Sequence, residues 1–164
     1  MPLVKMTELL NWAKENNCAV GAFSVGNMEM IIGAVKAAEE MNTPIILQIA
    51  EKRMKQSPMH LMAPMMVSAA KNAKVPVAVH LDHGLTMDCI KTAHEYGFTS
   101  VMLDASLLPF DENIELTKKV RAEADKYGAT VEAELGVVGG NEGDSAEHKI
   151  TCTDPEKAFV FCEK

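Results

Sequence analysis

The run His80-Leu81-Asp82-His83-Gly84 sets an imidazole beside a carboxylate where an apolar stretch ends, and two later runs repeat the plan. Asp104 closes the apolar run before it, and Glu132 and Glu134 alternate within 130–135. A strand's period of two puts both glutamates on one face, with Val131, Ala133 and Leu135 on the other. An unpaired carboxylate buried in such a strand is so unfavourable that it is normally ion-paired, hydrogen-bonded or bound to a metal. Three successive strands ending in acids, with a histidine among them, therefore favour a metal or polyol site. Each group alone has a plainer meaning. Aspartate and glycine are common turn formers, and the two glutamates could pair with Lys or Arg or lie on an exposed edge. His80 shares a face with Asp82 and reads as a core histidine that orients this carboxylate. His60 and His94 fall in helical segments and His148 in a polar loop, and no spacing suggests a Ser-His-Asp or Cys-His nucleophile.

The loop 136–144 follows directly, with four glycines and Glu142. It does not match the GxGxxG or GxxxxGK[ST] phosphate cradles. Beside a catalytic rim it suits a lid that delivers an acid or base, although exposed acidic loops of this composition are common.

Short β-branched runs alternate with amphipathic segments, the pattern of βα units and a parallel sheet. Strands are expected over 19–25, 44–49, 75–81, 100–104 and 130–135, giving five units led by a helix over 7–15. The helix after the first strand has Met28, Ile31, Ile32, Val35 and Ala38 at helical spacing, with Asn27 as N-cap. The next opens with Ser57 as cap and Pro58 at its first position, turning Leu61, Met65 and Met66 inward. Thr86 caps a helix through Tyr96 that Gly97 ends. Pro109 and Asp111 introduce a longer one through Tyr127, closed by Gly128, because glycine accepts the left-handed conformation of many helix C-termini. Asp154-Pro155 starts the last helix, which runs to Lys164. Five such units fit either an open doubly wound sheet or part of an eight-stranded barrel, and periodicity leaves that choice open. In both, ligands bind beyond the carboxyl ends of the strands, where Asp82 and His83 stand.

The 164 residues are 48% hydrophobic and 24% charged, as in an ordinary globular domain, and no linker or repeat divides them. A net charge of -7 with scattered basic residues argues against a nucleic-acid footprint. Cys18, Cys89, Cys152 and Cys162 show no CxxC spacing and read as reduced thiols of a cytosolic protein. The first residues lack a leader pattern and no apolar run approaches the roughly 20 residues of a membrane span, so a cytoplasmic protein is expected. Twelve methionines, several of them in the two helical segments 28–41 and 58–66, are taken as adaptable core filling.

The segment Val75-Pro76-Val77-Ala78-Val79-His80-Leu81-Asp82-His83-Gly84 resembles a signature of the class II, metal-dependent fructose-bisphosphate and tagatose-bisphosphate aldolases. Gly97 through Ser106, Pro109-Phe110-Asp111-Glu112-Asn113, Val131 through Gly136 with Gly139, Gly140 and Glu142, and Thr153-Asp154-Pro155 follow in that family's order and spacing. Gly21-Ala22-Phe23 fits as well. The resemblance implies a (β/α)₈ TIM barrel of which 1–164 supplies the N-terminal portion, about five βα units of a single domain. It implies that His83 is one of three histidine ligands of a divalent metal, usually Zn²⁺. Asp82 would exchange the proton of the hydroxyl at the bond being cleaved, Asp104 and Glu134 match acids near an alternative metal position, and Glu142 would exchange the proton of the enediolate. Retro-aldol cleavage builds negative charge on a ketose oxygen, which a divalent cation can stabilise, with a general acid/base beside it.

The family's other two histidine ligands, its phosphate-binding glycine loops and its last three strands would lie beyond the position matching Lys164. Zinc catalysis normally needs three protein ligands, so the chain alone is expected to be inactive. It is expected to pair with another copy or with a C-terminal half, because an unclosed barrel leaves strand edges and apolar surface uncovered. Ser24 stands where bisphosphate aldolases often have asparagine, Leu107 where they have histidine, and Gly143 interrupts the acidic pair after Glu142. These departures point to a related sugar or sugar phosphate rather than fructose 1,6-bisphosphate. Two other readings remain: a flavodoxin-like binding or signalling domain with Asp82 and Asp104 as a magnesium or acidic pocket, and a non-catalytic scaffold fragment. Strand order separates the first from a barrel, since the open sheet needs strand one between two and three.

Overall fold

A computed structural model describes residues 2–137 and 150–164. Gly139, Gly140, Glu142, Gly143 and His148 lie outside the described residues. Helix α1 spans Met6–Glu15 and β1 Gly21–Ser24, followed by α2 Met28–Met41, β2 Ile45–Ala50 and a 3₁₀ turn Glu51–Lys55. Then come α3 Met59–Asn72, β3 Val77–Gly84, α4 Met87–Glu95, β4 Ser100–Leu103, α5 Phe110–Asp125, β5 Thr130–Glu132 and α6 Pro155–Glu163. The five strands form one parallel sheet in the order β1-β2-β3-β4-β5. A sequential order is that of a barrel wall and excludes the flavodoxin-like alternative, in which β1 would lie between β2 and β3.

Alternation along each strand divides the residues between two environments. Ile45, Leu47 and Ile49 of β2, Val77, Val79 and Leu81 of β3, and Val101 and Leu103 of β4 bury with Met62, Met66, Val67, Ile90 and Ala93 of α3 and α4. This is the helix-covered outer face. On the other face Ile46 and Ala78 pack against Met6 and Leu9 of α1, and Thr7 Oγ1 lies 2.6 Å from Thr130 Oγ1. Helix α1 thus closes the end at which the strands begin. Toward their carboxyl ends the inner face turns polar, through Ser24, Gln48, His80, Asp82 and Glu132.

Caps work as their sequences suggest at three helices. Asn27 Oδ1 accepts the Met30 N–H at 2.9 Å, Thr86 Oγ1 the Cys89 N–H at 3.2 Å, and Asp154 Oδ1 the Glu156 N–H at 2.9 Å. Gly97 and Gly128 take φ of 92° and 63°, which closes α4 and α5 as expected. Ser57 departs from its expected capping role: its hydroxyl donates to the Gly26 carbonyl at 2.7 Å and ties the α3 entrance to the end of β1. Leu61 is 56% exposed, because the α3 stripe that meets the sheet is Met59, Met62, Ala63, Met66, Val67 and Ala70. Methionine serves as core filling in α3, but Met28, Met30 and Met41 of α2 are exposed. All four residues of β1 are exposed, and β5 stops at Glu132, short of the expected 135.

Candidate functional site

Strand β3 carries its chemistry in its last three positions. Its register with β4 shifts between Leu81 and Gly84, and His83 adopts φ 42°, a left-handed conformation unusual outside glycine. The irregularity lets Asp82 and His83 reach the mouth together rather than on opposite faces. His83 Nε2 lies 3.9 Å from Asp82 Oδ1, and His83 Nδ1 lies 3.0 Å from Asp104 Oδ2 at the end of β4. Asp104 is held from behind, its Oδ1 accepting the Ser106 N–H at 3.0 Å and the Ser106 hydroxyl at 2.7 Å. Ligand atoms of His83, Asp104 and Glu134 all fall within 4.8 Å of one another. Glu134 follows β5, and its carbonyl accepts from the buried Asn113 side chain of α5 at 2.9 Å.

Electrostatics couple these groups. The Asp104 hydrogen bond, opposed by burial and helped by the fields of Asp82, Asp104 and Glu134, raises the His83 pKa to about 9. The same contact, with the Ser106 bonds, lowers that of Asp104 to about 2. Both directions describe an imidazolium–carboxylate pair at neutral pH. An imidazole and two carboxylates form a donor set that hard and borderline divalent cations accept. Donors about 2.0–2.2 Å from a zinc ion stand no more than roughly 4.4 Å apart, so the observed spread needs only side-chain rotation. The three residues fit such an ion.

Asp82 is oriented by a residue that sequence reasoning passed over. Gln48 Nε2 donates to Asp82 Oδ2 at 2.8 Å and to Ser24 Oγ at 3.2 Å, joining the ends of β1, β2 and β3 in one network. The only signal was a single amide in the apolar run Ile45-Ile46-Leu47-Gln48-Ile49. His80, expected to orient Asp82, sits one layer deeper, level with Ser100 in the strand register. Its Nδ1 is 2.9 Å from Ser100 Oγ and its Nε2 3.4 Å from Glu132 Oε2. Burial outweighs the hydrogen bond with the Ser100 backbone and, with the field of His83, lowers the His80 pKa to about 4, while burial and the field of Asp82 raise that of Glu132. Glu132 thus lies against His80 and feels the charges of Asp82 and His83, but it is not one of the three residues whose ligand atoms cluster. Ser24 joins the Asp82 network, and Glu142 lies outside the described residues.

The model of the class-II fructose-bisphosphate aldolase family matches residues 4–164. A fructose-bisphosphate aldolase from Giardia intestinalis is 42% identical over 164 residues, 99% of this chain and 50% of that protein. One from Staphylococcus aureus is 42% identical over 167 residues, 100% of this chain and 58% of that protein. The crystal structure of the YdjI aldolase from Escherichia coli K12 superposes with a TM-score of 0.87 at 37% identity, over 98% of this chain and 58% of that one. The chain spans about half the length of the curated relatives it matches.

Proposed function

The chain belongs to the class-II fructose-bisphosphate aldolase family, and on that premise we propose that residues 1–164 form the N-terminal portion of a zinc-dependent aldolase domain. The reaction is reversible retro-aldol cleavage of a ketose phosphate to dihydroxyacetone phosphate, or an analogue, and an aldehyde. The observation that carries this reading is the convergence of Asp82, His83, Asp104 and Glu134 at the carboxyl ends of three adjacent strands, with donor atoms within 4.8 Å for the last three. His83, Asp104 and Glu134 would hold the Zn²⁺, which supplies Lewis-acid stabilisation of the negative charge that develops on the ketose oxygen. Asp82, fixed by Gln48, takes the proton from the hydroxyl adjacent to the breaking carbon–carbon bond and returns it in the condensation direction. Glu142, by family resemblance, exchanges the proton at the carbon left behind. Ser24 in place of asparagine and Leu107 in place of histidine favour a substrate other than fructose 1,6-bisphosphate.

Completion of the site rests on a C-terminal half or a second copy. The exposed β1 edge and the half-exposed Phe23 upon it support this. Cytoplasmic location is part of the same proposal: all four cysteines are free thiols, and no described helix is long and apolar enough to cross a membrane. The test is dihydroxyacetone phosphate release from a panel of ketose phosphates, for the chain alone and with a complementing C-terminal half, before and after chelation. Turnover only in the complemented form, lost with chelator and regained with zinc, is expected. Chelator-resistant turnover, or none with any ketose phosphate after complementation, would overturn it.

A further inference from the structure

Glu51 opens the 3₁₀ turn after β2, and its carboxylate reaches across to the segment that leaves β3. Its Oε2 accepts the Leu85 N–H at 2.6 Å and the Thr86 N–H at 3.1 Å, and its Oε1 accepts the Thr86 hydroxyl at 3.0 Å. Thr86 in turn caps α4. On the opposite flank the Gly84 carbonyl accepts the Asp104 N–H at 2.8 Å. The backbone there is so close to β4 that a Cβ at Gly84 would meet the Met102 carbonyl oxygen at 2.7 Å. His83 lies just before this segment with φ 42°. A non-glycine residue keeps such a conformation only where its surroundings over-determine it. Strand β4 holds one side of the segment, and Glu51 holds the other from β2.

We propose that Glu51 is a positioning residue for the cation site: by binding Leu85 and Thr86 it keeps the His83 backbone left-handed and its ring between Asp82 and Asp104. The inference rests on the reading of His83 as a metal ligand, and it extends the ligand support to β2. A carboxylate that only capped α4 would stabilise the helix and leave metal affinity unchanged. Groups that orient a ligand typically change affinity about 10- to 100-fold when removed.

The test is Co²⁺ binding to the 164-residue chain, followed by visible absorption, in wild type, Glu51→Ala, Glu51→Gln and Ala93→Gly. The last variant weakens α4 from its fully buried face without touching the His83 segment. Glu51→Ala should raise the dissociation constant roughly 10- to 100-fold. Glu51→Gln should recover most of the loss, because its amide oxygen can accept the two N–H groups while the Thr86 hydroxyl rotates. Ala93→Gly should lower Tm and leave binding intact. Wild-type affinity in Glu51→Ala, or an equal loss in Ala93→Gly, overturns the proposal. If Glu51→Ala does not fold, Glu51→Asp, one methylene too short to span both amides, replaces it. Failure of the wild-type chain to take up Co²⁺, both alone and with a complementing C-terminal half, sinks the ligand reading of His83 instead. Glu51 is then judged by the ¹⁵N shifts of the His83 ring: displacement in the Glu51 variant alone supports the positioning role, and no displacement overturns it.

Discussion

His83 and Asp104 meet through Nδ1 and Oδ2 at 3.0 Å, and this contact holds a proton where a cation would bind. With the His83 pKa raised to about 9, the ring is protonated at pH 7, whereas a metal requires it neutral. Metal uptake must therefore expel about one proton per ion below pH 9. The apparent affinity should rise roughly tenfold per pH unit up to that point. Calorimetric titration of Zn²⁺ in buffers of different ionisation enthalpy reads the proton directly. Binding that releases no proton at pH 7, or keeps its affinity after His83→Asn, would remove the histidine from the ligand set.

Gln48→Leu keeps the shape of the β2 side chain and deletes the hydrogen bonds to Asp82 and Ser24. A hydrogen bond to a charged group is worth about 1.5–3 kcal/mol. If Asp82 moves the proton, kcat of the complemented enzyme should fall about 10- to 100-fold. KM should change little, and so should Tm. A variant with normal kcat would show that Asp82 needs no fixed orientation or plays no part in the proton transfer.

Much of this arrangement was legible because its causes are local. Strands β2, β3 and β4 read largely as apolar runs, as a covered parallel sheet requires, and the acids Asp82 and Asp104 at the ends of β3 and β4 stand out against that background. Asn27, Thr86 and Asp154 cap where such residues should. Other features depend on tertiary neighbours. Periodicity groups Met28 and Ile32 on one face of α2 but does not say whether anything covers it. Gln48 was hidden as one amide in an apolar run, because its meaning comes from an aspartate 34 positions later. The left-handed backbone of His83 has no glycine to announce it, since it is imposed by the bulge against β4 and by Glu51. His80 and Asp82 share a face, but the strand's rise carries them to different layers, a separation that alternation alone does not express.

Gly84→Ala tests the close approach of β3 to β4. The added methyl would meet the Met102 carbonyl oxygen at 2.7 Å and the Leu81 and Ile90 side chains at 3.2 and 3.3 Å. A backbone oxygen cannot rotate away as a side chain can. The expected loss is about 1–3 kcal/mol, within the range for overpacked sites, visible in chemical denaturation, together with weaker metal binding. Unchanged stability would mean that the strands separate easily there.

Two histidines with opposite shifts should give the metal-free chain a stability maximum near the unperturbed histidine pKa of 6.5. His83 is raised from 6.5 to about 9, so the folded chain binds the proton more tightly than the unfolded one. Its contribution is complete below pH 6.5 and disappears as pH rises toward 9. His80 is lowered from 6.5 to about 4 by burial, so on acidification the unfolded chain takes up a proton that the folded chain refuses. Stability falls as pH drops from 6.5 to 4. Tm measured against pH should therefore decline on both sides, and His83→Asn should flatten the alkaline limb while leaving the acid limb in place. An alkaline limb that persists in His83→Asn would mean that the His83–Asp104 pair is not charged in the folded protein.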